Sequence, residues 1–240
     1  MLDDLKQAVK RRARRCAGRD WFPGRDLRVA TRRFGSPTAG WTVACERLSS
    51  RSVVWCVGIG EDISFDLALL AAYGMPIEAF DPTPRSLAWV RAQPLPADYR
   101  VHPYGLADRD GEASFRPPAD PGHVSHSMDP CAAADGTGVR GEVRRLGTLA
   151  AMLGQSRVDL LKMDIEGAEY GVIDDLALQP LLPRQLLVEF HHRFPSIGIG
   201  RTRAAVATLR SLGYRLFHVS PNGEEYAFLL DDESLAGSVR

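Results

Sequence analysis

The 240-residue chain has little cysteine, almost no lysine, no net charge and no long apolar run. Its four cysteines (Cys16, Cys45, Cys56 and Cys131) form neither a CxxC pair nor a framework pattern. That excludes a disulfide scaffold and a thiolate zinc site, and it fits a reducing compartment. Thirty basic residues balance thirty acidic ones, so no global field draws the protein to nucleic acid or to a membrane surface. No stretch approaches the roughly 20 apolar residues of a membrane span. The start, Met1-Leu2-Asp3-Asp4, lacks the apolar core of a signal peptide. A soluble, cytoplasmic protein without membrane contacts is the expectation. Three lysines accompany 27 arginines, a bias that points to GC-rich coding and not to chemistry.

What is present is an ordinary globular composition, 45% hydrophobic and 25% charged, which argues against disorder. The length suits one large domain with a sizeable buried core. Basic charge gathers at the start. Residues 1–33 hold eleven Lys or Arg against four Asp, most densely at Lys10, Arg11, Arg12, Arg14 and Arg15. The plain reading is a solvated helix face; the other is a dock for a phosphorylated or acidic partner. Residues 2–17 read as an amphipathic helix, with Leu2, Leu5, Val9 and Ala13 near one face. Residues 1–50 carry too few apolar side chains for a domain and read as a cap on a domain spanning 51–240.

From residue 51 strand patterns alternate with helical ones. Residues 53–57 form a continuous apolar run, the mark of a strand buried on both faces. A helix is expected over 63–73, closed by Gly74, then a strand over 77–80 and a helix over 84–91. A third strand is expected over 99–106 and an exposed one over 111–116. Residues 117–141, rich in Pro, Gly, Ala and Asp, read as a mobile loop; with Ser125, His126 and Ser127 it suits a lid or an acceptor-binding segment, and equally a plain surface loop. A strand and short helix over 142–153 lead to strands over 158–163 and 185–190, with a helix over 167–176 between them. A helix over 199–212 precedes an antiparallel closing pair over 214–219 and 225–230. This alternation implies an α/β fold with a mostly parallel sheet and helices on both faces. Ligands bind such sheets at the carboxyl ends of the strands, near the point where strand order reverses.

The chemistry-bearing residues follow strands. Gly58-Ile59-Gly60 lets the backbone turn tightly and approach a ligand, although a plain strand-to-helix turn has the same look. The third glycine of a dinucleotide fingerprint is absent, since Ile63 follows Asp62, which disfavours NAD. Asp81 ends the second strand, 21 residues after Gly60. An acceptor-only carboxylate there can take both hydroxyls of a ribose, or it can cap the helix that starts near Pro84. Asp164, last on its strand within Lys162-Met163-Asp164-Ile165-Glu166-Gly167-Ala168-Glu169, is the strongest active-site candidate. Glu166 and Glu169 can also serve as complements to the next helix N-terminus. By alternation Glu189 and His191 share a side. His191 suits a general base. It can alternatively join Asp164 and Glu189 around a divalent metal, or be structural.

Four segments resemble the FkbM-like branch of S-adenosylmethionine-dependent methyltransferases: residues 57–66, 79–84, 161–169 and 187–192. The Lys-x-Asp-x-Glu-Gly-Ala-Glu string of 162–169 is the most specific of them. The resemblance covers about residues 40–230. It implies a Rossmann-like, seven-stranded methyltransferase sheet that binds S-adenosylmethionine through Val57, Gly58, Gly60, Asp62, Ser64, Asp81, Pro82, Leu106, Asp108 and Asp164. Gly58 and Gly60 would lie against the methionine part, Asp81 at the ribose, and Leu106 or Asp108 near adenine. Many relatives of the wider class carry an acid two residues before the first glycine, where this chain has Cys56; Asp62 or Ser64 would take over part of that role. The resemblance also implies O-methylation of a hydroxyl on a sugar or natural product.

Methyl transfer needs an aligned acceptor oxygen and a group that removes its proton. That makes Asp164, His191 and Glu189 the catalytic candidates. Two other readings compete. The basic residues 6–33 would suit an RNA or DNA methyltransferase, though no stacking module accompanies them. A cofactor-binding module without turnover would keep the same fold. A homo-oligomer is compatible with the sequence.

Overall fold

The computed structural model describes residues 18, 20–116, 127–128 and 138–231. The expected helix over 2–17 lies outside these residues. A hairpin of β1 (Thr31–Phe34) and β2 (Trp41–Ala44) comes first. The main sheet then starts with β3 (Val54–Val57), β4 (Ile77–Phe80) and β5 (Tyr99–His102), parallel to one another. A second sheet holds β6 (Tyr104–Leu106), β7 (Gly111–Arg116), β8 (Ser127–Met128) and β9 (Val139–Arg144). The main sheet resumes with β10 (Leu160–Met163) and β11 (Gln185–Glu189), again parallel, and closes with β12 (Tyr214–Val219) and β13 (Glu225–Leu230), which are antiparallel. Its order is β12-β13-β11-β10-β3-β4-β5. Strand order therefore reverses between β3 and β10, where the expected ligand crevice falls.

Among the described residues five α-helices cover the sheet: α1 (Ser64–Tyr73), α2 (Pro84–Arg91), α3 (Leu146–Met152), α4 (Glu169–Leu176) and α5 (Ile199–Ser211). Gly74 ends α1 in the left-handed conformation, φ 69°, where its N–H reaches Leu70 O at 2.8 Å. Pro84 opens α2 at a position whose N–H a helix does not use. Alternation sorts the strands' side chains into two cores. Trp55, Val57, Leu161, Met163, Leu186 and Val188 pack with α3, α4 and α5, while Val54, Cys56, Leu160 and Leu187 pack with α1, α2 and the hairpin. Each fully buried large aliphatic or aromatic side chain contributes about 1.5–3 kcal/mol.

Three expectations need correction. The third strand divides at Pro103, which has no N–H to donate, so 99–102 pair with β4 and 104–106 leave for β9. Residues 111–116 are not exposed throughout, because Ala113 and Phe115 are buried with Ala107 and Val143. The stretch 117–141 contains β8 and the start of β9, paired with β7. Ser125 and His126 lie outside the described residues.

Residues 20–50 pack on the sheet. Phe34, Trp41 and Val43 join the α1 and α2 core. Asp20 is buried against His192 Nε2 (3.1 Å) and Arg193 (3.1 and 3.2 Å), and Tyr226 Oη donates to Trp21 O at 2.8 Å. Among the described residues no helix is long and apolar enough to cross a membrane.

Candidate active site

A cavity of about 240 Å³ opens at the carboxyl ends of β3, β4 and β10. Its floor is the 58–60 turn. Gly58 N–H donates to Phe80 O (2.9 Å) and Asp164 N–H to Val57 O (3.1 Å), so three strand ends are tied together. Gly58 adopts φ 87°, and a Cβ there would sit 1.8 Å from Asp164 O. Only glycine fits at that contact. Asp81 faces the turn from β4. Its Oδ2 accepts the N–H groups of Ile59 (3.0 Å) and Gly60 (3.3 Å), and its Oδ1 accepts Thr83 N–H (2.9 Å) and Oγ1–H (2.6 Å). A carboxylate offers about four lone-pair sites. The turn takes two of them and Thr83 the other two, so a ribose hydroxyl must displace the longest, the Gly60 contact.

The other end of the cavity is acidic. Lys162 Nζ, buried, donates to Gly58 O at 2.8 Å, lies 3.9 Å from Asp164 Oδ2 and stands 5.5 Å from the centre of the Trp41 ring. Around it stand Asp66, Asp164, Glu189 and Glu225. Glu189 and Glu225 are direct partners in the β11–β13 register. Burial, with Asp164 beside it, pushes the Glu189 carboxyl up to about 8, and burial pushes Glu225 up to about 7. Asp164 keeps a third of its side chain towards the cavity, yet surrounding protein atoms raise its pKa as well. No hydrogen bond from a described residue is among the largest influences on the Glu189 carboxyl. Asp66, on α1, accepts Tyr99 Oη–H at 2.8 Å, and burial raises its pKa. It also bonds the Cys56 thiol, so a carboxylate stands beside the position where the wider class carries an acid.

Of the residues expected from sequence, the cavity brings together Val57, Gly58, Gly60, Asp62, Asp81, Pro82, Leu106, Asp164 and Glu189. Three do not line it. Ser64 Oγ accepts the Ser36 N–H at 2.8 Å, tying the hairpin loop to α1. Asp108, half exposed, pairs with Arg109 at 3.0 Å and lies against Gly171 of α4. His191 is buried beside the cavity, with Nδ1 3.2 Å from Glu169 Oε1 and Nε2 3.3 Å from Glu166 Oε2. Burial opposes its charge, but those two carboxylates push its pKa up to about 11. A ring that already holds its proton is not the neutral base expected, and this corrects that assignment. The expected metal set also changes: Asp164, Glu166 and His191 converge, and Glu189 is not among them. Glu166 adopts φ 52°, rare for a residue with a Cβ. Sequence reasoning gave no site role to Trp41, Phe115 and Glu225, which line the cavity from elements far from the motifs, nor to Phe65 and Asp66, which line it from the helix after the glycine turn.

Residues 45–216 match the family described as "Methyltransferase FkbM domain", and the chain belongs to that family. The human probable methyltransferase-like protein 24 is 25% identical over 175 residues, covering 69% of this chain and 42% of the human protein. The rat protein of the same description is 24% identical over 237 residues, covering 82% of this chain and 59% of its own length. The chain thus spans about half the length of these curated relatives. A crystal structure described as methyltransferase FkbM from Methylobacillus flagellatus KT matches at a TM-score of 0.44 and 14% identity. That match covers 76% of this chain and 44% of the other, a likeness too loose to bear on the site.

Proposed function

We propose that the chain is an S-adenosylmethionine-dependent O-methyltransferase acting on a hydroxyl of a sugar or natural-product small molecule. The observation that carries this reading is the cavity at the reversal of strand order, where the glycine turn faces Asp81. The residues present fit such a donor. The turn at Gly58 packs its backbone against Asp164 O at the cavity floor, and Asp81 presents an acceptor-only group to a ribose. Leu106, Pro82 and Phe115 offer apolar surface for a base. Asp66, rather than Asp62 or Ser64, stands beside Cys56 and supplies a carboxylate for a cationic methionine end.

The donor supplies an activated methyl carbon, whose bond to sulfur breaks as its bond to the acceptor oxygen forms. This chain's residues then have two tasks. The turn and Asp81 hold the donor in line with the acceptor, and a carboxylate takes the hydroxyl proton. Glu189, which lines the cavity, is assigned that second task in its ionised form, so transfer should rise as pH passes about 8.

Calorimetry with S-adenosylhomocysteine tests the donor half, with micromolar binding expected. Labelled donor incubated with hydroxylated sugars and aglycones tests the acceptor half. Absence of binding by the folded protein overturns the reading, whereas binding without transfer to any acceptor favours a non-catalytic module.

A further inference from the structure

Asp164, Glu166 and His191 each place one ligand atom within 4.8 Å of the others at the edge of the cavity. His191 Nε2 lies 3.3 Å from Glu166 Oε2 and 3.8 Å from Asp164 Oδ1. A separate contact fixes the ring in that orientation. Behind it, Nδ1 is 3.2 Å from Oε1 of Glu169, whose side chain is fully buried. That carboxylate is itself held in place, since Oε1 accepts the His191 backbone N–H at 2.9 Å and Oε2 accepts the Gly167 N–H at 2.8 Å. A carboxylate behind Nδ1 is how metal-binding histidines are oriented with Nε2 forward.

We propose that Asp164, Glu166 and His191 form a divalent-cation site, with Glu169 as the outer partner of the histidine. Two carboxylates and one imidazole, without thiolate, suit an ion of the Mg²⁺ or Mn²⁺ kind, and Nε2 releases its proton to solvent as the ion takes its place. Neighbouring ligands on such an ion, with bonds of about 2.1 Å, lie about 3.0 Å apart. The Glu166 contact must shorten by a few tenths of an ångström and the Asp164 contact by about 0.8 Å, both within reach of side-chain rotation. Lys162 Nζ faces the other oxygen of Asp164, Oδ2, at 3.9 Å, so Oδ1 is the one turned to the ion. Asp164 and Glu166 also line the cavity, which provides an entry path and faces the remaining coordination positions towards an acceptor. An acceptor hydroxyl oxygen bound there would lose its proton more readily, and ionised Glu189, which also lines the cavity, would receive it.

The site stands on its own geometry, while its role in transfer rests on the function proposed above. The experiment is a titration of Mn²⁺ into the full chain freed of metal, by calorimetry and by electron paramagnetic resonance. One Mn²⁺ per chain is expected, carrying a nitrogen coupling from His191. Asp164→Asn, Glu166→Gln and His191→Ala should each weaken it by at least about tenfold, and Glu169→Gln by about tenfold or more. The two Glu→Gln changes keep side-chain size, so they serve if His191→Ala does not fold. Asp81→Asn should retain Mn²⁺ while losing S-adenosylhomocysteine, which separates failure of this site from failure of the donor reading. No saturable Mn²⁺ or Mg²⁺ binding up to millimolar concentration overturns the proposal. So does a wild-type spectrum without nitrogen coupling, or an affinity that Glu166→Gln and Glu169→Gln both leave unchanged.

Discussion

Replacing Asp81 by asparagine turns one carboxylate oxygen into an amide without changing the size of the side chain. In the folded protein that carboxylate accepts four hydrogen bonds, from Ile59, Gly60 and twice from Thr83. The asparagine oxygen can keep one pair, and its amide must then face two donors. The Thr83 bonds, at 2.6 and 2.9 Å, are the shorter pair, so the turn is the side that loses. Hydrogen bonds to a charged acceptor contribute about 1.5–3 kcal/mol each, and relaxation recovers part of that. A loss of about 3 kcal/mol lowers Tm by about 6–12 °C in a domain of this size. Affinity for S-adenosylhomocysteine should fall by a similar free energy, about 150-fold, because the ribose contact goes and Gly60 shifts. Urea denaturation and calorimetry on the folded variant read the two effects separately. A variant within about 0.5 kcal/mol of the parent in stability, the scatter of a neutral surface change, refutes the hydrogen-bond argument. Lost stability with unchanged affinity would leave Asp81 as an anchor of the turn alone and remove the ribose assignment.

Gly58→Ala sets a Cβ 1.8 Å from Asp164 O and strains a φ of 87°, so the end of β10 must move. Donor binding should be abolished, with stability reduced by about 3 kcal/mol or more; calorimetry showing wild-type affinity would refute the close contact. Glu225 and Glu189 are held up to about 7 and 8, above the carboxylate range of an unfolded chain. The folded protein therefore binds more protons between about pH 4.5 and 8 and loses stability as pH rises through that window. Glu225→Gln should stabilise by about 1–3 kcal/mol at pH 8.5, shrinking below about 1 kcal/mol at pH 5; urea midpoints that differ equally at both pH values would contradict the assignment. Asp20 behaves in the opposite sense. Burial raises its pKa, but Arg193 and His192 outweigh that and hold it below its ordinary value, so its contribution is present above about pH 4 and lost as pH falls further. Asp20→Asn should cost about 3 kcal/mol at pH 7 and progressively less below pH 4, and equal stability at pH 7 would show that residues 20–22 are not clasped to the core.

Local pattern was enough to read much of this molecule. Continuous apolar runs bounded by glycine, proline or aspartate marked β3, β4, β10 and β11, and those bounds put Gly58, Asp81, Asp164 and Glu189 at strand ends. Where the reading failed, the deciding force came from elsewhere in the chain. Pro103 could be seen, but not that the chain beyond it would pair with β9, because that partner lies about 40 residues on. Glu169 looked like a complement to a helix N-terminus. Only the approach of α4 to the end of β11 makes it the partner of His191.

By itself, the sequence determined the order of strands and helices, the faces along each strand and the set of residues at the carboxyl edge of the sheet, since those follow from periodicity and turn chemistry. It also carried the family, through the string from Lys162 to Glu169. Only the tertiary structure decided which charges meet. Packing brings Asp66 from α1 to Cys56, Glu225 from β13 to Glu189, and Glu166 with Glu169 around His191, enclosing an expected base between carboxylates. The protonation of a buried group depends on distances of a few ångströms between separate elements, and such distances are set by packing rather than by spacing along the chain.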